Sequence, residues 1–233
     1  VLVFNSYPAA NIPRASAAIP DFFDAREKIA AFEEAAIFQD VRGYTLGESG
    51  SPTREMGREV SPSFFHLLNV DPLLGRLFAE EEMNVDSNLT VILSYGYWQE
   101  MYGGQESVLG EELRIFGRIY EVIGVMQEEF RFIDDEVRLW IPITITEEQK
   151  SHDARHANQY GLIGRLNPGA TVEQTVSQYE ALDKANEELY PEQLRQIIID
   201  TGYHTQVHLL KDDLVRDIKP GLWMLWGLII YFK

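Results

Sequence analysis

Gln159-Tyr-Gly-Leu-Ile-Gly-Arg-Leu-Asn-Pro-Gly-Ala-Thr-Val-Glu-Gln174 passes from one secondary-structure pattern to another within a short span. Residues 159–166 read as a strand, and Asn167-Pro168-Gly169 is a turn with the backbone freedom that only such residues supply. Thr171 and Gln174 then form a capping box, each side chain taking a backbone N–H that the first helical turn leaves unpaired. The amphipathic helix so opened runs to about residue 189, and residues 205–210 read as a second strand. A strand, a helix and a strand in this order indicate a mixed α/β or α+β chain.

The rest of the sequence supports that class. Residues 1–5 are strand-like, and Pro20-Asp21 opens a helix with Phe22, Phe23, Ala25 and Ile29 on one face. Residues 38–46 and 54–60 are rich in β-formers and flank turn residues at 47–52, as an antiparallel pair would. Ser61-Pro62 predicts a capped helix over 63–68, with the serine oxygen on the free N–H groups and proline at the first position. Asp71-Pro72 and Gly75-Arg76 punctuate a loop. Residues 89–93 form a strand, Ser94 caps a helix bearing Tyr95, Trp98, Met101 and Tyr102, and Gly103-Gly104 ends it. Residues 112–116 and 119–125 alternate as a hairpin around Gly117-Arg118. In Leu139-Trp-Ile-Pro142 the proline has no ladder donor and belongs at an edge or an end.

Composition excludes several functions. The 233 residues carry 20 basic and 37 acidic side chains, a formal net charge of -17, which repels a phosphate backbone over most of the surface and makes nucleic acid a poor partner. There is no cysteine, so disulfides, thiolate metal sites and cysteine nucleophiles are absent together. Residues 221–232 are uncharged, yet a bilayer span needs about 20 apolar residues. The run reads either as a buried or docking helix or as a transmembrane helix cut short, with Trp223 and Trp226 at interfacial depth.

Motifs for chemistry are weak. Gly164 to Thr171 has the glycine spacing of a phosphate loop, but Ala170 stands where lysine is required and Pro168 removes an amide. His152 and His156, with Asp153 between them, have a spacing that can ligate zinc on a helix, but no third ligand or glutamate base accompanies them, and Arg155 lies in the same segment. His204 and His208 on a strand are roughly 13 Å apart, too far to share an ion. The acidic pairs Glu33-Glu34, Glu111-Glu112, Glu128-Glu129 and Glu147-Glu148, the triplets Glu80-Glu81-Glu82 and Asp134-Asp135-Glu136, and the acceptor pattern Asn88-Leu89-Thr90 read as solvated surface. No catalytic, cofactor-binding or metal-binding residue is assigned.

Several segments in order resemble one family. Val60-Ser-Pro-Ser-Phe-Phe-His-Leu-Leu-Asn-Val-Asp-Pro-Leu-Leu-Gly-Arg-Leu-Phe78 is similar to the MacB-like periplasmic core domain of ABC transporter permeases, within it the duplicated orphan permeases of Acidobacteria. Val91-Ile-Leu-Ser-Tyr-Gly-Tyr-Trp98, Val108-Leu-Gly110, Leu113 to Met126, Phe130-Arg-Phe132, Leu139-Trp-Ile-Pro142, Ile19 to Arg26 and Gly164 to Thr171 resemble it too. The resemblance implies a porter-like subdomain formed by residues 1–78 and 156–217, a smaller α/β lobe inserted at 79–155, and the start of a truncated transmembrane helix at 218–233.

It also implies a non-catalytic domain on the periplasmic side of the bacterial inner membrane. Such a domain transmits motion or contacts cargo while a cytoplasmic ATPase domain or subunit hydrolyses ATP, and a second permease copy or a periplasmic adaptor are the partners it allows. No cofactor is expected. The alternatives are a secreted metal-dependent hydrolase using His152 and His156, and a stand-alone periplasmic ligand-binding domain. Where related hairpins place Asn-Gly, this chain has Phe116-Gly117, which points to a type II′ turn with Gly117 first, because a bulky residue disfavours positive φ.

Overall fold

The computed structural model describes residues 1–47, 52–87, 89–133, 136–214 and 216, so the expected membrane segment at 218–233 lies outside the described residues. In chain order the elements begin with β1 (Leu2–Tyr7), β2 (Ile12–Ala15), α1 (Ile19–Lys28), β3 (Phe32–Phe38), β4 (Arg42–Leu46), β5 (Thr53–Val60), α2 (Ser63–Leu68) and β6 (Pro72–Gly75). The middle of the chain supplies β7 (Thr90–Leu93), α3 (Tyr95–Tyr102), β8 (Glu112–Ile115), β9 (Arg118–Met126), β10 (Leu139–Pro142) and α4 (Glu147–Lys150). The last part supplies β11 (Gly161–Leu166), α5 (Val172–Glu187), α6 (Glu192–Thr201), β12 (His204–His208) and α7 (Leu210–Leu214).

One continuous sheet runs β12-β1-β11-β3-β5-β4-β8-β9-β7-β10, and β10 also pairs with β5. That last pairing closes β5, β4, β8, β9, β7 and β10 into a six-stranded ring, while β12, β1, β11 and β3 form an antiparallel sheet beside it. The ring is mixed, because β10 runs parallel to β5 and β7 parallel to β9. Only one residue pair, Phe38 with Val60, bridges β3 to β5. At this junction Ser61 N donates to Ile37 O at 2.8 Å, Ile37 N donates to Ser61 Oγ at 3.1 Å, and Ser63 Oγ donates to Ala35 O at 2.8 Å. Two serines therefore continue the ladder for β3 where β5 turns away into the ring, pairing Ala35 O and both backbone groups of Ile37.

Side-chain alternation sorts the interior into three packed groups. From β3, Ala35 and Ile37 face α1 and α5 together with Val3, Leu162, Phe22 and Tyr179. The neighbours Ala36 and Phe38 face the other way, onto Phe64 and Phe65 of α2. Inside the ring lie Tyr44, Leu46, Leu93, Ile115, Val122 and Leu139. Strands of the ring present their outer residues Ile92, Ile123 and Trp140 to the same group as Phe38 and Phe64, so sheet and ring share one core. Across the sheet the Phe38 ring lies over Gly161, its paired residue on β11, where an added Cβ would come within 2.3 Å of the ring.

Several expectations are corrected. The apolar run at 38–46 splits between β3 and β4, because β3 pairs β11 while β4 pairs β5 and β8. Ser61 does not cap α2; its hydroxyl serves β3, and Pro62 occupies the cap position without a side-chain bond. Residues 72–75, expected as loop, form β6 against β9. The hairpin turn has both central residues at positive φ, Phe116 at 47° and Gly117 at 78°, which is type I′ and not II′. Helix α6 had no forecast at all. The boundary drawn at residue 78 does not follow the pairing, since β4 and β5 precede it yet belong to the ring. Other expectations match: Tyr97 N donates to Ser94 Oγ at 3.1 Å, Thr171 and Gln174 complete their capping box, and Pro142 ends its strand.

Leu139 is fully enclosed within the ring and its strand touches both β5 and β7. Leu139→Ala should cost about 2–5 kcal/mol by lost transfer energy and residual cavity. Urea denaturation checks this through a lowered midpoint with an unchanged slope.

Candidate functional site

Residues 151–158 lead from α4 back to the sheet, and their polar side chains are drawn into a buried seam between β1, α1, α5 and α6. Backbone bonds hold the segment's end: Ala17 N donates to Tyr160 O at 2.7 Å and Tyr160 N to Ala17 O at 3.0 Å. Proline at the start of α1 leaves Asp21 at its third position, where the carboxylate accepts from Ala18 N at 2.8 Å. One turn later Asp24 lies on the same face, and Arg155 reaches both carboxylates, at 3.2 Å and 2.7 Å, with all three side chains at most 10% exposed. Asn5 Nδ2 donates to Asp21 at 2.9 Å and to Asn158 at 2.9 Å, tying β1 to the same centre. Asn186 of α5 donates to Asp24 at 3.1 Å, and Lys28 pairs with it at 2.7 Å.

The histidines have different duties from those their spacing suggested. His156 adopts a φ of 72°, which turns its ring inward, and its Nδ1 lies 2.6 Å from Tyr7 Oη while its Nε2 lies 2.7 Å from Tyr190 Oη. Both ring nitrogens are thus committed to phenols. Asn158 Nδ2 donates to Tyr7 Oη at 3.1 Å, which leaves the Tyr7 proton for His156 Nδ1; Nε2–H then donates to Tyr190. His152 stacks on Tyr190 and accepts from Arg155 Nε at 3.3 Å. Among the described residues no group of three or more His, Asp or Glu is placed to hold a metal ion. His204 and His208 sit exposed on the edge strand β12, as expected.

Burial dominates the electrostatics. It pulls His156 down to about 4, helped by the positive charge of Arg155, so the imidazole is neutral near pH 7. It pushes Tyr7 up to about 12 and Tyr190 further, which keeps both phenols protonated. Asp21 is pushed up by burial despite its donors, whereas in Asp24 burial is outweighed by Lys28, Arg155 and Asn186, which hold it below its ordinary value. On the far side of the seam Asp183 of α5 accepts from Thr205 N at 2.7 Å and Thr205 Oγ1 at 2.9 Å, and burial lifts it to about 6. Tyr203 connects the halves by donating to Asn5 Oδ1 at 3.3 Å. The arrangement clamps a connector against two helices, a strand and the turn before α6.

Sequence reasoning singled out His152 and His156 but missed Asn5, Asn158, Tyr190 and Asp183. Each lies in a different segment, and only the fold brings them together. The one local signal was Arg155, a long cation beside two histidines in a chain short of positive charge.

The seam gives two predictions. Arg155→Leu should cost about 3–5 kcal/mol, because it leaves buried Asp21 without its cation and Asp24 with Lys28 alone. The variant's carboxyls bind protons more readily, so its deficit should shrink as pH falls, as followed by urea midpoints. For His156 the folded value of about 4 lies below the ordinary 6.5, so the unfolded chain takes the proton first and stability is lost as pH falls through that window. His156→Gln should flatten this loss. The difference from wild type isolates the imidazole from Asp183, whose raised value tilts the curve the other way.

Comparisons with known proteins agree with this architecture. Among solved structures, a domain assigned to a permease protein of Porphyromonas gingivalis superposes with a TM-score of 0.63 at 16% identity, covering 91% of this chain and 94% of that one. The extracellular domain of the noncanonic ABC-type transporter YknZ from Gram-positive bacteria gives 0.56 at 14% identity, with 90% and 99% covered. The periplasmic region of MacB from Actinobacillus actinomycetemcomitans gives 0.57 at 14% identity, with 94% and 91% covered. A search of curated proteins finds no match. The family model of the MacB-like periplasmic core domain matches residues 2–182, well over half of the chain, and the chain therefore belongs to the MacB-like periplasmic core domain family.

Proposed function

We propose that this domain works as a rigid lever in an ABC transporter permease, carrying the movement of two membrane helices into the extracytoplasmic space. The observation behind the reading is the ladder between β1 and β12, antiparallel from Leu2 with His208 to Ser6 with His204. Its consequence is that the chain enters the sheet and leaves it side by side, so helices joined at the two positions would emerge together and push on one edge. Val1 N donates to Gly164 O at 2.8 Å, fastening the entry point to a third strand. The shared core around Phe38, Phe64 and Trp140 then links that edge to the ring, and the seam at Arg155 braces the connector between them.

MacB-like permeases work with ATPase subunits in ABC transporters, and this domain is an extracytoplasmic part of a membrane protein. In our reading the membrane is the bacterial inner membrane and ATP is hydrolysed on its cytoplasmic side. The domain itself makes and breaks no covalent bond. The division into a porter-like part and a lobe remains useful with the lobe extended to include β4 and β5. Among the described residues no helix is long and apolar enough to cross a membrane.

A spin-label experiment tests the lever. These 233 residues contain no cysteine, so single and paired labels can be placed within the domain, with any cysteine elsewhere in the full-length permease and its ATPase replaced first. Distances between a label on the ring and one on α5 should stay constant between nucleotide-free and ATP-bound states, while distances from either label to the bilayer or to a second permease copy should change. A nucleotide-dependent change inside the domain, or none anywhere, would sink the reading.

A further inference from the structure

We infer that the tip of the β8–β9 hairpin is a docking surface for an acidic protein segment carrying apolar side chains. The tip is built from mismatched choices. A type I′ turn wants Asn or Gly at both central positions, yet Phe116 occupies the first in left-handed backbone, with 58% of its surface exposed. Ile119, one rung below the turn, is 46% exposed. An aromatic residue does not suit positive φ, and more than half of Phe116 stays open to solvent even though its ring touches Tyr44; strain of this kind gathers where a surface has a task. The turn is not floppy: Phe116 N donates to Thr45 O at 2.8 Å, its ring packs 5.5 Å from that of Tyr44, and Arg114 Nη1 donates to Gly117 O at 3.0 Å.

Charge names the partner's chemistry. In a chain of net charge -17 most cations are spoken for, yet Arg54, Arg114 and Arg118 make no ion pair among the described residues. Arg114 and Arg118 lie at this tip, whereas the Arg54 guanidinium lies back over Gly43. Arg118 opens β9 opposite Ile115, Arg114 faces Ile119, and Arg54 is paired with Thr45, whose carbonyl holds the turn. The Glu112 and Glu121 pair sits three rungs further down, roughly 10 Å away and so about one screening length from the turn at physiological salt. A partner that covers Phe116 and Ile119 and answers Arg114 and Arg118 must bring carboxylates beside apolar groups; arginine and aromatic residues are the types on which interface energy concentrates. The tip lies on the ring, separated in the sheet from β1 and β12 by β4, β5, β3 and β11.

The inference names the partner class for the lever proposed above, but its test needs neither ATP nor membrane, so the two can fail separately. The probe is a fluorescent peptide of alternating glutamate and leucine, titrated with the full chain and followed by anisotropy. Saturable binding is expected, weakened about tenfold or more by Arg118→Glu or Arg114→Glu and by raised salt. Phe116→Asn should lose binding similarly while raising the melting temperature, since asparagine suits the turn; this separates loss of contact from loss of fold. Absence of binding, equal binding of a lysine–leucine peptide, or indifference to Arg118→Glu would overturn the proposal. So would Arg118-dependent capture on phosphatidylcholine–phosphatidylglycerol vesicles that the peptide does not displace, which would give the tip to a lipid surface instead.

Discussion

Where β5 leaves β3, the backbone faces an expensive problem. A strand buried on both faces has lost the neighbour that should pair its N–H and C=O groups, and each such group left bare would cost about 1–3 kcal/mol. Ser61 and Ser63 solve it with one backbone bond and two hydroxyls, which frees β5 to curl into the ring while β3 stays in the flat sheet. Ser63 also opens α2, whose Phe64 and Phe65 then fill the angle between sheet and ring. Without that substitution the ring would not close or the shared core would not form. The two parts of the domain are one mechanical body because of it.

A second constraint is the polar seam. Its carboxylates, guanidinium and neutral imidazole are buried in a chain with a large negative charge, and a buried ion pair of this kind seldom adds net stability over an apolar replacement. Its effect is geometric: the connector from the ring has one place in which Arg155, His156 and Asn158 are all satisfied. Such a clamp suits a domain that is pushed at one edge and must deliver the push elsewhere without yielding between.

Much of the architecture was legible locally. The capping box at Thr171 and Gln174, the cap at Ser94, the alternation of residues 112–125 and the terminal position of Pro142 depend on neighbours a few residues apart, and all stand in the structure. The readings that changed involve partners far away in the chain. Ser61 has the residue type of a helix cap, but a buried Ile37 N–H needed its oxygen more. Phe116 has a side chain that should avoid positive φ, yet the two-residue loop set by Ile115 and Arg118 and the bond to Thr45 O outweigh that preference. His156 has the spacing of a ligand pair, but the phenols that claim it come from β1 and from the turn before α6.

By itself the amino-acid order determined the class of fold, most elements, the acidic surface and the family, because periodicity, turn chemistry and family-like stretches are written in adjacent residues. Only the tertiary structure decided that the strands close into a ring, that β1 and β12 lie side by side, and which polar groups meet in the seam. Those outcomes turn on which backbone donors and buried charges find partners across more than a hundred residues of chain, as when Arg155 reaches Asp21 and Asp24. Pairing at that distance is selected by the cost of leaving a group unpaired once the core has formed, and no local pattern records it.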